Sequence, residues 1–241
     1  MNKALLDVTR VFSRSGVTMG TRLSLKSSGY GCDDTMILVE ALKQLRSEVP
    51  KRTSRVMIDI EASGGLSPLL EQVMSIPQRV RENTTLVMTL GPHGVSERAC
   101  RTVKEIRKQS GVSLAVLVEG ACWAGWLDAL ETIDAETVIV GRSMVIAHLN
   151  AGCSMQLLDI SELCEKKGAR LMAQGDFTEQ QMERIADAGV TAFLGGPFEA
   201  SITIQSLEDG GCRRQERDNM VADPRVKELL RHLGGVRALP S

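Results

Sequence analysis

Aromatic residues are scarce in this sequence of 241 residues, and neither sign of charge is in excess. Phe, Trp and Tyr together make up 3% of the chain, so a buried core has to be built from aliphatic side chains and Met. Lys and Arg number 29 against 30 Asp and Glu, which argues against a protein that binds nucleic acid through phosphate contacts. With 43% hydrophobic residues, the chain can form one sizeable α/β domain.

Long apolar runs and closely paired cysteines are also missing. No stretch reaches the roughly 18 apolar residues of a membrane span, so we expect no membrane association. The six cysteines form no Cys-x-x-Cys pair, and we expect neither a metal site nor another cofactor. The first residues do not resemble a secretory signal, which favours a cytoplasmic protein; the basic, hydroxyl-rich segment 8–31 leaves an organellar transit peptide as the alternative.

Short apolar runs alternate with amphipathic stretches along the middle of the chain. They predict helices between strands and therefore a mostly parallel sheet. The predicted strands are 55–60, 84–90, 113–120, 137–141 and 144–149. Beyond Cys153 the pattern predicts helices at 157–174 and 177–189, the second capped by Thr178, then a strand from Ala200 and a closing helix from Asp223.

The same patterns suggest three parts of the chain. Residues 1–52 are predicted to be an N-terminal extension with one helix. Residues 53–205 are predicted to be the core domain, and residues 206–241 a polar loop followed by a C-terminal helix.

Three features of the core domain suit acyl transfer. A glycine turn, Gly91-Pro92-His93-Gly94, follows one strand and would present backbone N–H groups as an oxyanion hole. A small-residue turn, GACWAG at 120–125, follows the next strand. His148 then lies at the end of a predicted strand, where a general base would be expected.

At these residues the sequence resembles the proteolytic subunit of the Clp proteases and its relatives in the ClpP/crotonase superfamily. In that family a Ser-Pro-Gly-Gly turn, a Gly-x-Ala-Ala-Ser-x-Gly turn and a Ser-x-x-x-x-His segment follow one another at similar spacing. The resemblance covers about residues 55–200. It implies an α/β, ClpP/crotonase-like spiral of ββα units, with a mostly parallel sheet and flanking helices. It also implies an oxyanion hole formed by the backbone of Gly94, Val95 and Ala124.

The sequence departs from that family at the nucleophile. Trp123 occupies the position of the catalytic serine, and an indole is no nucleophile. We therefore interpret Trp123 as a plug in a vacated cleft and His148 as a remnant base. The resemblance then implies a catalytically degenerate peptidase, acting as a structural or regulatory subunit of a homo- or hetero-oligomer with Clp-like subunits. An AAA+ unfoldase is a further candidate partner.

Two other functions stay open on the sequence alone. One is an active serine- or cysteine-type peptidase, in which Cys122 and His148 form the reactive pair. The other is a crotonase-like acyl-CoA enzyme, since that chemistry uses the two-turn oxyanion hole without a serine. A rival alignment places the oxyanion loop at Ala62–Gly65. Because Trp123 replaces the serine, the sequence leaves open whether the protein is an enzyme.

Overall fold

The computed structural model describes residues 3–15, 18–26, 55–60, 66–90, 97–119, 126–151, 155–195 and 200–205, and the structural statements below concern these residues. Nine strands are described: β1 Lys3–Ser13, β2 Thr18–Lys26, β3 Arg55–Ile60, β4 Thr84–Leu90, β5 Ser113–Val118, β6 Thr137–Val140, β7 Arg170–Gln174, β8 Ala192–Leu194 and β9 Ala200–Gln205. The described helices are α1 Leu66–Met74, α2 Gln78–Arg81, α3 Glu97–Ser110, α4 Trp126–Thr132, α5 Arg142–Ala151, α6 Met155–Lys167 and α7 Glu179–Asp187.

The strands form a closed barrel. Strands β2 to β8 pair in chain order and all run parallel. Strand β1 runs antiparallel to them and pairs with β2 along one edge and with β8 along the other, which closes a ring of eight strands. Strand β9 continues along the β8 edge of β1, where residues 3–8 pair with residues 200–205.

Side chains alternate between two apolar layers along each strand, as the pleat requires. One set points into the barrel and includes Val11, Met57, Val87, Leu117 and Ile139. The other set faces outward and packs against the helices. Its members include Ile58, Leu86, Val116, Val140 and Phe193 from the strands, and Val73, Val103, Ile106, Ile160 and Ile185 from the helices.

The predicted ClpP/crotonase-like spiral is wrong, because the sheet closes on itself. Alternating strands and helices predict parallel pairing equally well for an open, a spiral and a closed sheet. Closure depends here on β1 and β2, which lie within residues 1–52. That segment, predicted to be an extension, supplies two strands of the barrel. The helices predicted at 32–49 and from Asp223 lie outside the described residues.

Two predicted elements need correction, whereas the strands at 55–60 and 84–90 are confirmed, and the strand predicted at 113–120 is confirmed up to Val118. The predicted strand at 144–149 belongs to helix α5; its buried residues Met144, Val145, His148 and Leu149 recur with helical spacing. The predicted helix at 157–174 ends at Lys167, and β7 begins at Arg170. Gly168, with φ +64°, turns the chain between them, as glycine commonly does after a helix.

Within the described residues, no helix is both long enough and apolar enough to cross a bilayer.

Candidate functional site

The carboxyl ends of β2 to β8 form one end of the barrel, called the barrel mouth below. In β/α barrels the active site lies at this end, because the loops that follow the strands converge there. The segments that follow β2, β3 and β4 begin outside the described residues, and those that follow β5 and β8 are described for one residue each, Glu119 and Gly195. The described part of the mouth therefore consists of the strand ends and the loops after β6 and β7.

Four polar side chains follow the inward-facing apolar residues at the mouth. By alternation, Asp59 comes after inward Met57, Thr89 after Val87, Glu119 after Leu117 and Gln174 after Met172. Arg22 on β2 joins them through its contacts with two of the four. These five residues (Arg22, Asp59, Thr89, Glu119 and Gln174) are called the mouth ring.

Arg22 holds the mouth ring together. Its Nε donates to Asp59 Oδ1 at 2.8 Å and its Nη2 to Asp59 Oδ2 at 2.9 Å, so the pair is bidentate. Its Nη1 donates to Gln174 Oε1 at 2.7 Å. The Arg22 side chain is only 6% exposed and that of Asp59 is 27% exposed. Three strands, β2, β3 and β7, are thus joined by one guanidinium that lies mostly out of water.

Glu119 brings an exposed carboxylate to the mouth. Its backbone N–H donates to the carbonyl of Leu90 at 3.1 Å, which fixes it directly beyond β5. The next strand ends at Gly141, whose N–H donates to the carbonyl of Val118 at 2.8 Å. A Cβ at position 141 would lie 3.3 Å from Glu119 Cγ, so the Glu119 side chain lies over this glycine.

The two described loops add a second cation and an aromatic anchor. Arg142 is exposed and is the first residue of α5, directly after β6. Phe177, in the loop after β7, packs edge to face on Phe193 with ring centroids 6.3 Å apart. Helix α7 then begins with a capping box between Thr178 and Gln181, which confirms the predicted cap.

The residues predicted from sequence fall elsewhere. Trp123, Cys122 and Ala124 lie in one segment outside the described residues, and Gly94 and Val95 lie in another. Their predicted roles are therefore not tested.

His148 is described, and it lies in the last turn of α5 rather than at a strand end. It is 7% exposed, and α5 packs against α6, α7 and β7. Burial lowers the pKa of His148, and the positive charge of Arg184 lowers that pKa further. Arg184 itself donates to the carbonyl of Leu149 at 2.8 Å. The predicted role of His148 as a remnant base stays untested.

The mouth ring was not predicted from the sequence, although two of its members interrupt an apolar pattern. Asp59 breaks the run RVMIDI, and Arg22 stands in the alternating stretch TRLSLK. A charged residue inside a strand pattern is a signal for a site within a barrel or at a sheet end. Gln174 gives no such signal, because the sequence pattern predicts that residues 170–174 belong to a helix, where a polar residue is common.

Several solved structures have a similar fold, and their descriptions name EAL proteins or complexes with cyclic di-GMP. Klebsiella pneumoniae BlrP1, in a calcium and cyclic di-GMP complex, matches with a TM-score of 0.67 and 14% identity over 85% of this chain and 57% of that chain. The PaMucR phosphodiesterase, in a c-di-GMP complex, matches with a TM-score of 0.64 and 15% identity over 80% and 89% of the two chains. An EAL domain protein from Listeria monocytogenes EGD-e matches with a TM-score of 0.64 and 15% identity over 80% and 85%.

These structures show that the chain has the fold of EAL domains. This chain spans little more than half the length of BlrP1. No protein-family model matches the sequence, and no curated protein matches it significantly.

The resemblance to the Clp protease subunit and to the crotonases is wrong, and so are the functions derived from it. Those functions are the degenerate peptidase subunit, the active peptidase and the acyl-CoA enzyme. The structural neighbours include EAL proteins, and the sheet of this chain closes into a barrel. Glycine turns after parallel strands recur in many α/β folds, so matching turns at matching spacing did not discriminate between them.

A divalent ion does not fit the described mouth ring. BlrP1 is described with calcium and also with manganese. Such ions take carboxylate and amide oxygens as ligands. Here both oxygens of Asp59 and Oε1 of Gln174 accept from Arg22, whose positive charge would repel a second cation. The described residues also contain no cluster of three or more His, Cys, Asp or Glu side chains able to hold a metal.

Proposed function

We propose that this chain is a non-hydrolytic domain with an EAL-like fold, which binds a cyclic dinucleotide or a related phosphodiester at the barrel mouth without cleaving it. The observation that carries the proposal is the bidentate pair between Arg22 and Asp59. Because both oxygens of Asp59 accept hydrogen bonds from Arg22, this partly buried carboxylate is not available as a metal ligand.

Binding is supported by charge and by the helix ends at the mouth. Helices α5 and α7 both begin there, so their N–H groups and helix dipoles favour an anion. The exposed guanidinium of Arg142 stands at the first of these helix ends. The choice of a cyclic dinucleotide rests on the structural neighbours, several of which are complexes with c-di-GMP.

A second candidate function is hydrolysis of the same ligand. It is favoured by the exposed carboxylate of Glu119 at the mouth and by the description of PaMucR as a phosphodiesterase. The two candidates differ in one observable, the appearance of a cleaved product.

The deciding experiment incubates the purified full chain with c-di-GMP and Mn²⁺ or Ca²⁺ and separates the nucleotides by anion-exchange chromatography. We expect no cleaved product beyond that of the buffer, while PaMucR under the same conditions provides the positive control. Product that forms with this chain and disappears in the Glu119→Gln variant would establish hydrolysis and overturn the proposal.

Binding is measured separately by calorimetry with c-di-GMP in the presence of EDTA. We expect saturable binding without metal, weakened about tenfold in Arg142→Glu because a favourable charge becomes a repulsive one. The matched control is Arg101→Glu, an exposed arginine on α3 whose carboxylate contact is Glu97 at 3.9 Å. No binding by the unsubstituted chain, or equal weakening by both substitutions, would refute a phosphodiester site at the mouth.

A further inference from the structure

We infer that Arg22 is an internal cation that takes the place of a divalent metal ion in the barrel mouth, with Asp59 and Gln174 as its oxygen donors. The inference rests on the proposed function, because it explains how the mouth would be held together without a metal. It also makes a separate claim: the donors around Arg22 form a latent metal site that the guanidinium keeps closed.

The donor set around Arg22 has the chemistry of a hard-cation site. Two carboxylate oxygens and one amide oxygen converge on one positive group, at 2.7 to 2.9 Å. Ca²⁺ and Mn²⁺ are bound by the same kinds of oxygen, at shorter distances. The oxygens come from β3 and β7, which are not neighbours in the barrel, so the cation is what brings them together.

Charge balance explains why a guanidinium, rather than a divalent ion, suits a place where Asp59 is the acid in contact with the cation. One Arg and one Asp make a neutral pair, whereas a divalent ion beside Asp59 alone would leave an excess positive charge in a mostly buried place. The planar guanidinium also offers several N–H groups in fixed directions, which suits one bidentate carboxylate and one amide at once. An ion held by three oxygens would need further ligands.

Replacing the cation by an acid should therefore open the site. In Arg22→Glu, a carboxylate would stand next to Asp59 and near Gln174, and the two negative charges would repel each other. A divalent ion relieves this repulsion and finds oxygen donors from three strands. We expect the variant to unfold at a lower temperature than the unsubstituted chain in EDTA and to regain stability with Mn²⁺.

The experiment compares thermal unfolding of full-length proteins in EDTA and in Mn²⁺. We expect no difference for the unsubstituted chain. For Arg22→Glu we expect Mn²⁺, at roughly a hundred times its dissociation constant, to raise Tm by roughly 5 to 10 °C. The matched control is Arg142→Glu, which makes the same charge change at an exposed position of the mouth. It should not respond to Mn²⁺.

A direct readout keeps the inference testable if Arg22→Glu folds poorly. Arg22→Asp introduces the second acid on a shorter side chain, and paramagnetic resonance should detect about one bound Mn²⁺ for each chain of either variant. Adding Asp59→Asn should abolish that binding. Mn²⁺ uptake by the unsubstituted chain that depends on Asp59, or no uptake by either Arg22 variant, would overturn the inference. The assay for cleaved c-di-GMP in the unsubstituted chain is independent of both results.

Discussion

At the scale of single residues, the contribution of an ion pair to the stability of this protein depends on how deeply the pair is buried. Arg22 and Asp59 form a bidentate pair in which the arginine is almost completely buried. Arg107 and Asp134 also form a short contact, at 2.6 Å, but the Asp134 side chain is 73% exposed. Solvent screens the second pair, and so we expect the two aspartates to contribute very differently to stability.

Removing the two aspartates in turn tests this contrast. Asp59→Ala leaves a buried guanidinium without its carboxylate and should lower the free energy of unfolding by about 3 kcal/mol. Asp134→Ala should lower it by less than about 1 kcal/mol. Urea unfolding followed by circular dichroism gives both values, and similar losses in the two variants would contradict the assignment of Asp59 to a mostly buried pair.

His148 should make the fold sensitive to acid. Burial lowers its pKa below the ordinary 6.5, so between that value and the folded-state pKa the unfolded chain binds more protons than the folded one. This contribution is complete above about pH 6.5 and is lost as the pH falls through the folded-state pKa. The urea midpoint at about pH 5.5 and about pH 7.5 should differ less in His148→Gln than in the unsubstituted chain, and an equal difference would refute the prediction.

The mouth ring shows how much of the site could be predicted from sequence. Asp59 and Arg22 stood out as charges within strand patterns, but nothing in the sequence indicated that β2 and β3 place them side by side. The contact with Gln174 is less predictable still, because it joins strands that are not neighbours and is separated along the chain by 152 positions. The chemistry of each side chain could be predicted from its local sequence. The contacts between these side chains depend on closure of the barrel.

At the scale of elements, the boundaries that were predicted wrongly share one cause. Helix α6 and strand β7 are separated only by Gly168 and Ala169, and apolar residues continue on both sides of the break. Helix α5 is rich in β-branched and apolar residues over its middle, so its short apolar run suggested a strand. Short apolar runs do not distinguish a buried helix from a buried strand. Glycines at the ends of elements are the stronger signal.

Gly189, directly after α7 and Ala188, offers a test of packing between helices. Its φ is +92°, and a Cβ at this position would collide with the hydroxyl of Ser161 on α6. Gly189→Ala should therefore destabilise the protein by about 2 kcal/mol or more, from backbone strain and the collision together. Gly168→Ala is the matched control, since its φ is +64° and no atom lies within 4 Å of an added Cβ.

Gly168→Ala should lower the free energy of unfolding by the backbone strain alone, about 1 kcal/mol. Adding Ser161→Ala should restore part of the stability of Gly189→Ala and none of that of Gly168→Ala. Urea unfolding gives the free energy of unfolding of the two glycine variants, each with and without Ser161→Ala. Equal losses for the two glycines, or no rescue at position 161, would show that α6 does not crowd this turn.

At the scale of the whole molecule, β1 decides whether the sheet is a barrel. It hydrogen bonds to β2 on one edge and to β8 and β9 on the other. A chain that begins at Thr18 would lack this strand and leave β2 and β8 with unpaired edges, which promote aggregation. We expect such a truncated chain to be insoluble or to sediment as aggregates in analytical ultracentrifugation, and a soluble, cooperatively folded monomer would contradict the role of β1.

A single substitution tests the same closure in the full chain. Val11→Asp places a charge inside the barrel and should destabilise it severely, because Val11 is buried among inward-facing apolar residues. Arg14→Glu, at an exposed turn position between β1 and β2, should unfold at the same urea concentration as the unsubstituted chain. The strands and helices of the middle region were largely predictable, because their signals are local. Closure of the barrel was not predictable, because it pairs strands near the two ends of the described part of the chain.

That closure also bears on how the protein is synthesised. Val11 pairs with Leu194, so the ribosome has to complete the eighth strand before the first can find its second partner. Until then β1 to β7 can form only an open sheet, with β1 and β7 as its exposed edges, and contacts so distant along the chain form slowly. We therefore expect a chain that ends before Ala192 to aggregate more readily than the complete chain, because unpaired strand edges promote aggregation.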